Sequence, residues 1–200
     1  MSNMKKTILG IVILLILVAG GYFFVSQKSE VSLPEAVKDI GKKLGGGSVT
    51  SDWRTHTSSK YGFSIKYPSN YIVREESEGI VFIPPELESV TKPPETLKDL
   101  PLMVIIPENK SYADASKELK RESEGASYYE ETAIKVMGIQ GFEVKIGPKS
   151  SVGDNLHKLF RVIPYGNKAL GFLTMAVTKA QLEQEGAPLL DAFISTFESN

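Results

Sequence analysis

The 200-residue chain contains no cysteine. That excludes disulfides, thiolate metal sites, a cysteine nucleophile and the acylated cysteine of a bacterial lipoprotein anchor. The fold must therefore hold together in any redox compartment without covalent staples. Histidine is scarce, with only His56 and His157, so a dedicated multi-histidine zinc site is excluded. A strong excess of charge of either sign is also missing. The net charge is −1, and this gives no electrostatic reason to expect nucleic acid as a partner. No Gly-x-Ser-x-Gly elbow is present, and Gly45-Gly46-Gly47-Ser48 lacks both the lysine and the preceding strand of a phosphate loop.

One long hydrophobic run is present, at the amino terminus. Thr7 to Val25 is 19 residues without a charge. As a helix it would span roughly 28 Å, near the ~30 Å thickness of a hydrocarbon core. Lys5 and Lys6 precede it, and positive flanks stay on the cytoplasmic side. Residues 1–25 are therefore expected to be a cytoplasmic end plus one transmembrane anchor in the inner membrane, with everything after about Ser26 outside the cytoplasm. A cleaved, secreted form is the rival reading, because Val18-Ala19-Gly20 could serve as a cleavage site.

Residues 26–52 read as a linker. Within it, Leu33, Val37, Ile40 and Leu44 follow helical spacing, with Ser32 and Glu35 placed as a capping box. A short amphipathic helix is one reading and a plain tether the other, since so short a helix is weak in water. Residues 53–200 form the exported domain. From Ser51 onward the chain has 17 Lys and Arg against 21 Asp and Glu, a net of −4.

In YGFSIKYP, Tyr61, Phe63, Ile65 and Tyr67 share one face of a half-buried strand. Pro68-Ser69-Asn70 breaks the pattern. Tyr71–Val73 and Ile80–Ile83 read as a hairpin, and Leu102–Ile106 as a buried strand. Between them, residues 84–101 carry five prolines among acidic residues, a loop long enough to be a contact surface. A charged helix is expected from Ser111 to about Ser123. Four strands then follow at Tyr128–Val136, Gly141–Ile146, Leu156–Ile163 and Ala169–Val177, joined by turn-rich segments into an antiparallel meander. Leu190, Phe193, Ile194 and Phe197 form the stripe of a final helix, and Gly186 and Pro188 separate it from an earlier piece, Lys179–Glu185. The fold class is α+β, a mainly antiparallel sheet with helices packed on it.

Three stretches in this order, YGFSIKYPSNY, Gly79-Ile80-Val81-Phe82 and APLLDAFISTFES, resemble PsbP-like domains, whose relatives include the Ran-binding nuclear import factor fold. The likeness runs over about residues 53–198. It implies an antiparallel sheet sandwiched between helices, an α/β/α arrangement. Photosystem PsbP proteins help retain calcium and chloride, but no residue here matches a functional residue of that family. The anchor departs from soluble chloroplast members and fits the bacterial, exported ones.

Four residues are candidates for a surface site: Trp53, His56, Tyr71 and His157. Trp53 and Tyr71 lie off the strict strand alternation and are expected to be exposed. Catalysis by His56 or His157 would require an activated hydroxyl and a carboxylate beside it. The acidic groups at Glu75, Glu76, Glu78, Glu86, Glu88, Glu122, Glu124, Glu130 and Glu131 have no calcium-loop spacing and are expected to be solvated charge. No cofactor and no metal are expected. The leading functional expectation is a membrane-held extracytoplasmic binding or scaffold domain with a protein or envelope-ligand partner, more a module than an enzyme. The alternatives are an exported hydrolase or metal-dependent enzyme, and a structural subunit of a filament or secretion assembly.

Overall fold

The computed structural model describes residues 50–88, 97–107, 110–149 and 154–199. The expected anchor and most of the expected linker lie outside the described residues. No helix among the described residues is long and apolar enough to cross a membrane.

The chain begins with strands β1 (Arg54–Ser58) and β2 (Phe63–Tyr67), an antiparallel pair. The hairpin β3 (Ile72–Glu76) and β4 (Gly79–Ile83) follows, then a 3-10 turn at Pro85–Leu87 and strand β5 (Leu102–Ile105). Helix α1 (Tyr112–Glu122) leads into the meander β6 (Tyr129–Val136), β7 (Ile139–Ile146), β8 (His157–Tyr165) and β9 (Lys168–Ala176). Helical turns close the chain: α2 (Lys179–Gln181), a π turn (Leu182–Gly186) and α3 (Ala187–Ile194), with the two-residue strand β10 (Glu198–Ser199) at the end.

Seven strands make one antiparallel sheet in the order β3-β4-β5-β9-β8-β7-β6. Strands β1, β2 and β10 make a second, small sheet. The hairpin and the four-strand meander expected from alternation are both present. Residues paired across antiparallel strands share a face. One face of the large sheet thus presents Val104, Leu170, Phe172, Thr174, Leu159 and Arg161, and the other Met103, Gly171, Leu173, Phe160, Val162 and Phe142. The first packs against α2–α3 and the small sheet: Phe172 lies 6.5 Å from Phe193 and 5.5 Å from Phe197 between ring centres. The second receives α1, whose Tyr112 lies 5.5 Å from Phe142. Helices therefore cover both faces, the sandwich that the resemblance implies.

Three details go beyond or against the reading of the sequence, for identifiable reasons. Arg54–Ser58 is a strand although it is polar, because pairing with β2 satisfies its backbone whatever its side chains are. The C-terminal pieces are not separated at Gly186 and Pro188. The chain stays helical through a π turn, and Pro188, which has no N–H to give, falls where that turn already interrupts the α-helical hydrogen-bond ladder. Phe197 lies beyond α3 rather than on it, yet is buried and reaches Phe63 at 5.0 Å.

Candidate functional site

The four residues singled out in the sequence go to four different environments. Tyr71 is buried, not exposed, which corrects the expectation for it. Its hydroxyl donates to the Leu100 carbonyl at 2.9 Å, pinning the far end of the proline-rich loop to the core. Burial, with Asp99 and Glu86 nearby, pushes its phenol above the ordinary tyrosine range. The same end of the loop is held by Gln181 Nε2 donating to Leu97 O at 2.6 Å and by the Thr174 hydroxyl donating to Pro101 O at 2.9 Å. Leu97 and Leu100 are buried, so this part of the loop is architecture. Trp53 is half-buried against the core.

His56 stands on β1, with Nε2 3.1 Å from the Glu75 carboxylate of β3 and its ring edge-on to Phe82 at 6.0 Å. His157 opens β8, with Nδ1 2.8 Å from the Tyr128 hydroxyl. The histidine with a carboxylate is thus on the small sheet, and the histidine with a hydroxyl is on the large one. The structure does not bring them together, and neither is shown with both partners of a triad.

The second of these positions belongs to a larger polar constellation that the sequence did not reveal. Tyr128, Gly147 and His157 lie side by side across the chain segments that open β6, close β7 and open β8, and the Gly147 N–H donates to the Tyr128 carbonyl at 3.0 Å. A Cβ at Gly147 would sit 2.6 Å from the Tyr128 ring. The bare glycine is what allows that ring to lie across the strand and reach the histidine. Lys179 Nζ lies 4.6 Å above the Tyr128 ring and donates to Glu130 at 2.8 Å. Burial and the Lys179 charge hold His157 below the ordinary imidazole range. The hydrogen bond between Glu130 and Lys179 lowers the carboxyl and raises the ammonium.

Ion pairs continue this shelf along the side of the C-terminal helices. Lys145 lies between Glu143 at 3.9 Å and Glu183 at 3.7 Å. Arg161 donates to Glu143 at 3.0 Å and also pairs with Asp191 of α3. Positive and negative groups therefore alternate from Lys179 to Asp191 on one side of the helical segment.

A third region lies under α1. A cavity of about 60 Å³ is lined by Ile105, Phe160, Val162, Gly171 and Leu119, with Lys110 and Glu118 at its polar side. Nearby, one carboxylate oxygen of Glu122 is buried without a hydrogen-bond partner. Burial pushes the Glu122 carboxyl up to about 7, against the opposing pull of Lys110. Solvated charge, the expectation for Glu122, is therefore corrected. Among the described residues no group of three His, Asp or Glu side chains could hold a metal ion.

No protein-family model matches the sequence, and no curated protein sequence matches it. Among solved structures the chain is similar to cyanobacterial PsbP (CyanoP) from Synechocystis, at TM-score 0.47 and 17% identity, covering 78% of this chain and 96% of that one. It is similar to a protein of Bacteroides thetaiotaomicron at TM-score 0.47 and 14% identity, covering 74% of this chain and 49% of that one. A variant of the protein Mog1 is similar at TM-score 0.46 and 11% identity, covering 74% of this chain and 95% of that one. At these levels no residue role passes from any of them to this chain.

Proposed function

We propose that the chain is a single-pass, extracytoplasmic binding or scaffold domain that recognises a protein partner through the charged shelf beside α2 and α3. The observation that carries this reading is the division of labour between the histidines. His56 has the carboxylate and His157 has the hydroxyl, on different sheets. A hydrolase of the Ser–His–Asp type needs both on one imidazole. The shelf, by contrast, offers side chains of both signs within reach of a surface of matching pattern: Lys179, Glu130, Glu183, Lys145 and Asp191. Interleaved charges select a partner by complementarity more than by raw affinity, and such binding weakens with salt. The uncharged amino-terminal run supports a tether that would hold this surface at the outer face of the membrane.

The experiment places a photo-crosslinking side chain at Glu183 in the full-length chain in its native membranes. The same side chain at Lys117 on α1 serves as control. Reproducible capture of one protein from Glu183 and not from Lys117, lost at high salt, is the expected result. Equal capture at both positions, or none at Glu183, overturns the assignment of the shelf. Protease added to intact spheroplasts is expected to digest residues 51–200 while a cytoplasmic marker survives; protection of both overturns the placement.

A further inference from the structure

The two edges of the seven-stranded sheet are treated differently. The β3 edge is five residues long, and its turn end is capped by groups from the loop between β1 and β2. Lys60 Nζ donates to Glu76 O at 2.8 Å and Ser77 O at 3.2 Å, and the Tyr61 hydroxyl is 2.9 and 2.8 Å from the same two carbonyls. The β6 edge is eight residues long and, among the described residues, pairs only with β7. Glu130, Glu131, Thr132, Ala133 and Lys135 are all exposed along it. An open edge of that length is a template for another strand.

The hairpin turn determines which backbone groups are free. Met137 and Gly138 have φ of 50° and 77°, the left-handed pair of a two-residue turn, and Val136 faces Ile139 across it. Such a turn is closed by a hydrogen-bonded pair, and the pattern then alternates. The Gly147 N–H donating to Tyr128 O shows the same phase at the far end. Glu130, Thr132, Ile134 and Val136 therefore point their backbone groups at β7. Tyr129, Glu131, Ala133 and Lys135 point theirs outward.

We infer that this edge pairs antiparallel with the same edge of a second copy, about a two-fold axis through Ala133. Outward residues must meet outward residues, which leaves few registers. With the axis at Ala133, Glu131 faces Lys135 of the second copy and Lys135 faces its Glu131. With the axis at Thr132 or Ile134, no charge meets its opposite. At Glu131 or Lys135, a like charge meets itself. Charges on an edge normally guard it against strangers; in this one register they attract. Ala133, the smallest side chain of the strand, would lie on the two-fold axis. The Ala133 pair and both Glu131–Lys135 pairs would each exchange two main-chain hydrogen bonds. On the opposite face Thr132 meets Ile134, a favourable β-branched pair. Lys135 makes no ion pair among the described residues. Glu131 is held in place by the Ser116 hydroxyl at 2.9 Å and the Tyr129 hydroxyl at 2.5 Å.

The chain has no cysteine, so Ala133→Cys introduces a single thiol on the proposed axis. Hydrogen-bonded strand partners are about 5.5 Å apart at Cα, within the range a disulfide spans. Mild oxidation of the full-length variant in its membranes is expected to give a disulfide-linked homodimer. Lys117→Cys, on the exposed side of α1, is expected to stay monomeric. In the otherwise unmodified chain, a zero-length carbodiimide is expected to link Glu131 to Lys135 between copies. Lys135→Glu or Glu131→Lys is expected to lower the Ala133→Cys dimer about tenfold, and the double swap to restore it. Absence of both crosslinks, equal dimer from Lys117→Cys, a dimer insensitive to Lys135→Glu, or capture of a different protein at Ala133→Cys each overturns the inference.

Discussion

The two faces of the large sheet are stabilised by unlike means. Under α2–α3 the contacts are aromatic and dry. Phe82 meets Phe193 at 5.1 Å and Tyr67 at 5.1 Å, and Phe63, Phe82, Phe172 and Phe193 are fully buried. Under α1 the layer is thin. Leu119 is the one residue of that helix that is buried, a cavity lies beside it, and one carboxylate oxygen is buried without a partner nearby. The first face carries the core that a cysteine-free domain of this size needs. The second tolerates imperfect packing because the first supplies the stability. A cavity and an unpartnered carboxylate oxygen each cost free energy, and a domain can carry them only with reserve elsewhere.

The contrast can be broken most decisively at Phe193. Phe193→Ala should cost about 3–5 kcal/mol of unfolding free energy, read by denaturant titration. Leu119→Ala should cost only about 2 kcal/mol, the low end for a leucine, because the neighbouring cavity has already forfeited part of the packing. Equal losses at the two positions would erase the distinction between the faces. Glu122→Gln is the smallest and the most informative. The carboxyl sits at about 7 in the folded chain against an ordinary 4.5, so the folded state binds the proton more tightly than the unfolded state. Its stabilising contribution is complete below pH 4.5 and is lost as pH rises through about 7. Glu122→Gln should therefore raise stability at pH 8 by roughly 1–2 kcal/mol after discount for solvent screening, and leave it nearly unchanged at pH 4. A variant whose stability tracks that of the parent at both pH values would place Glu122 in water.

The strand pattern was legible because alternation is written into a half-buried strand: Phe63 and Ile65 are fully buried while Lys66 between Ile65 and Tyr67 is exposed. The meander was legible because its turns are short and its apolar runs long. Tyr71 was misread because it follows the Pro-Ser-Asn turn, where alternation lapses; only the return of the chain at Leu100 gives its hydroxyl a buried acceptor. The Tyr128–His157 contact was illegible because the two are 29 positions apart and the enabling residue, Gly147, looks like an ordinary turn glycine before Pro148. Glu122 was read as solvated because nothing local distinguishes it from Glu124. Its partial burial comes from the folded surroundings at the end of α1, with Lys110 and Lys149 nearby.

By itself the sequence determined the absence of disulfides and thiol chemistry, the α+β class and the order of most elements, because residue type and period-two or helical spacing are local properties of the chain. Tertiary structure alone decided that β1 and β10 join β2 in a second sheet, that a tyrosine and a histidine meet over a glycine, and that β6 ends the large sheet with β7 as its one partner among the described residues. Those outcomes depend on which distant backbone groups remain unpaired once the strands have chosen neighbours, and no local pattern carries that information.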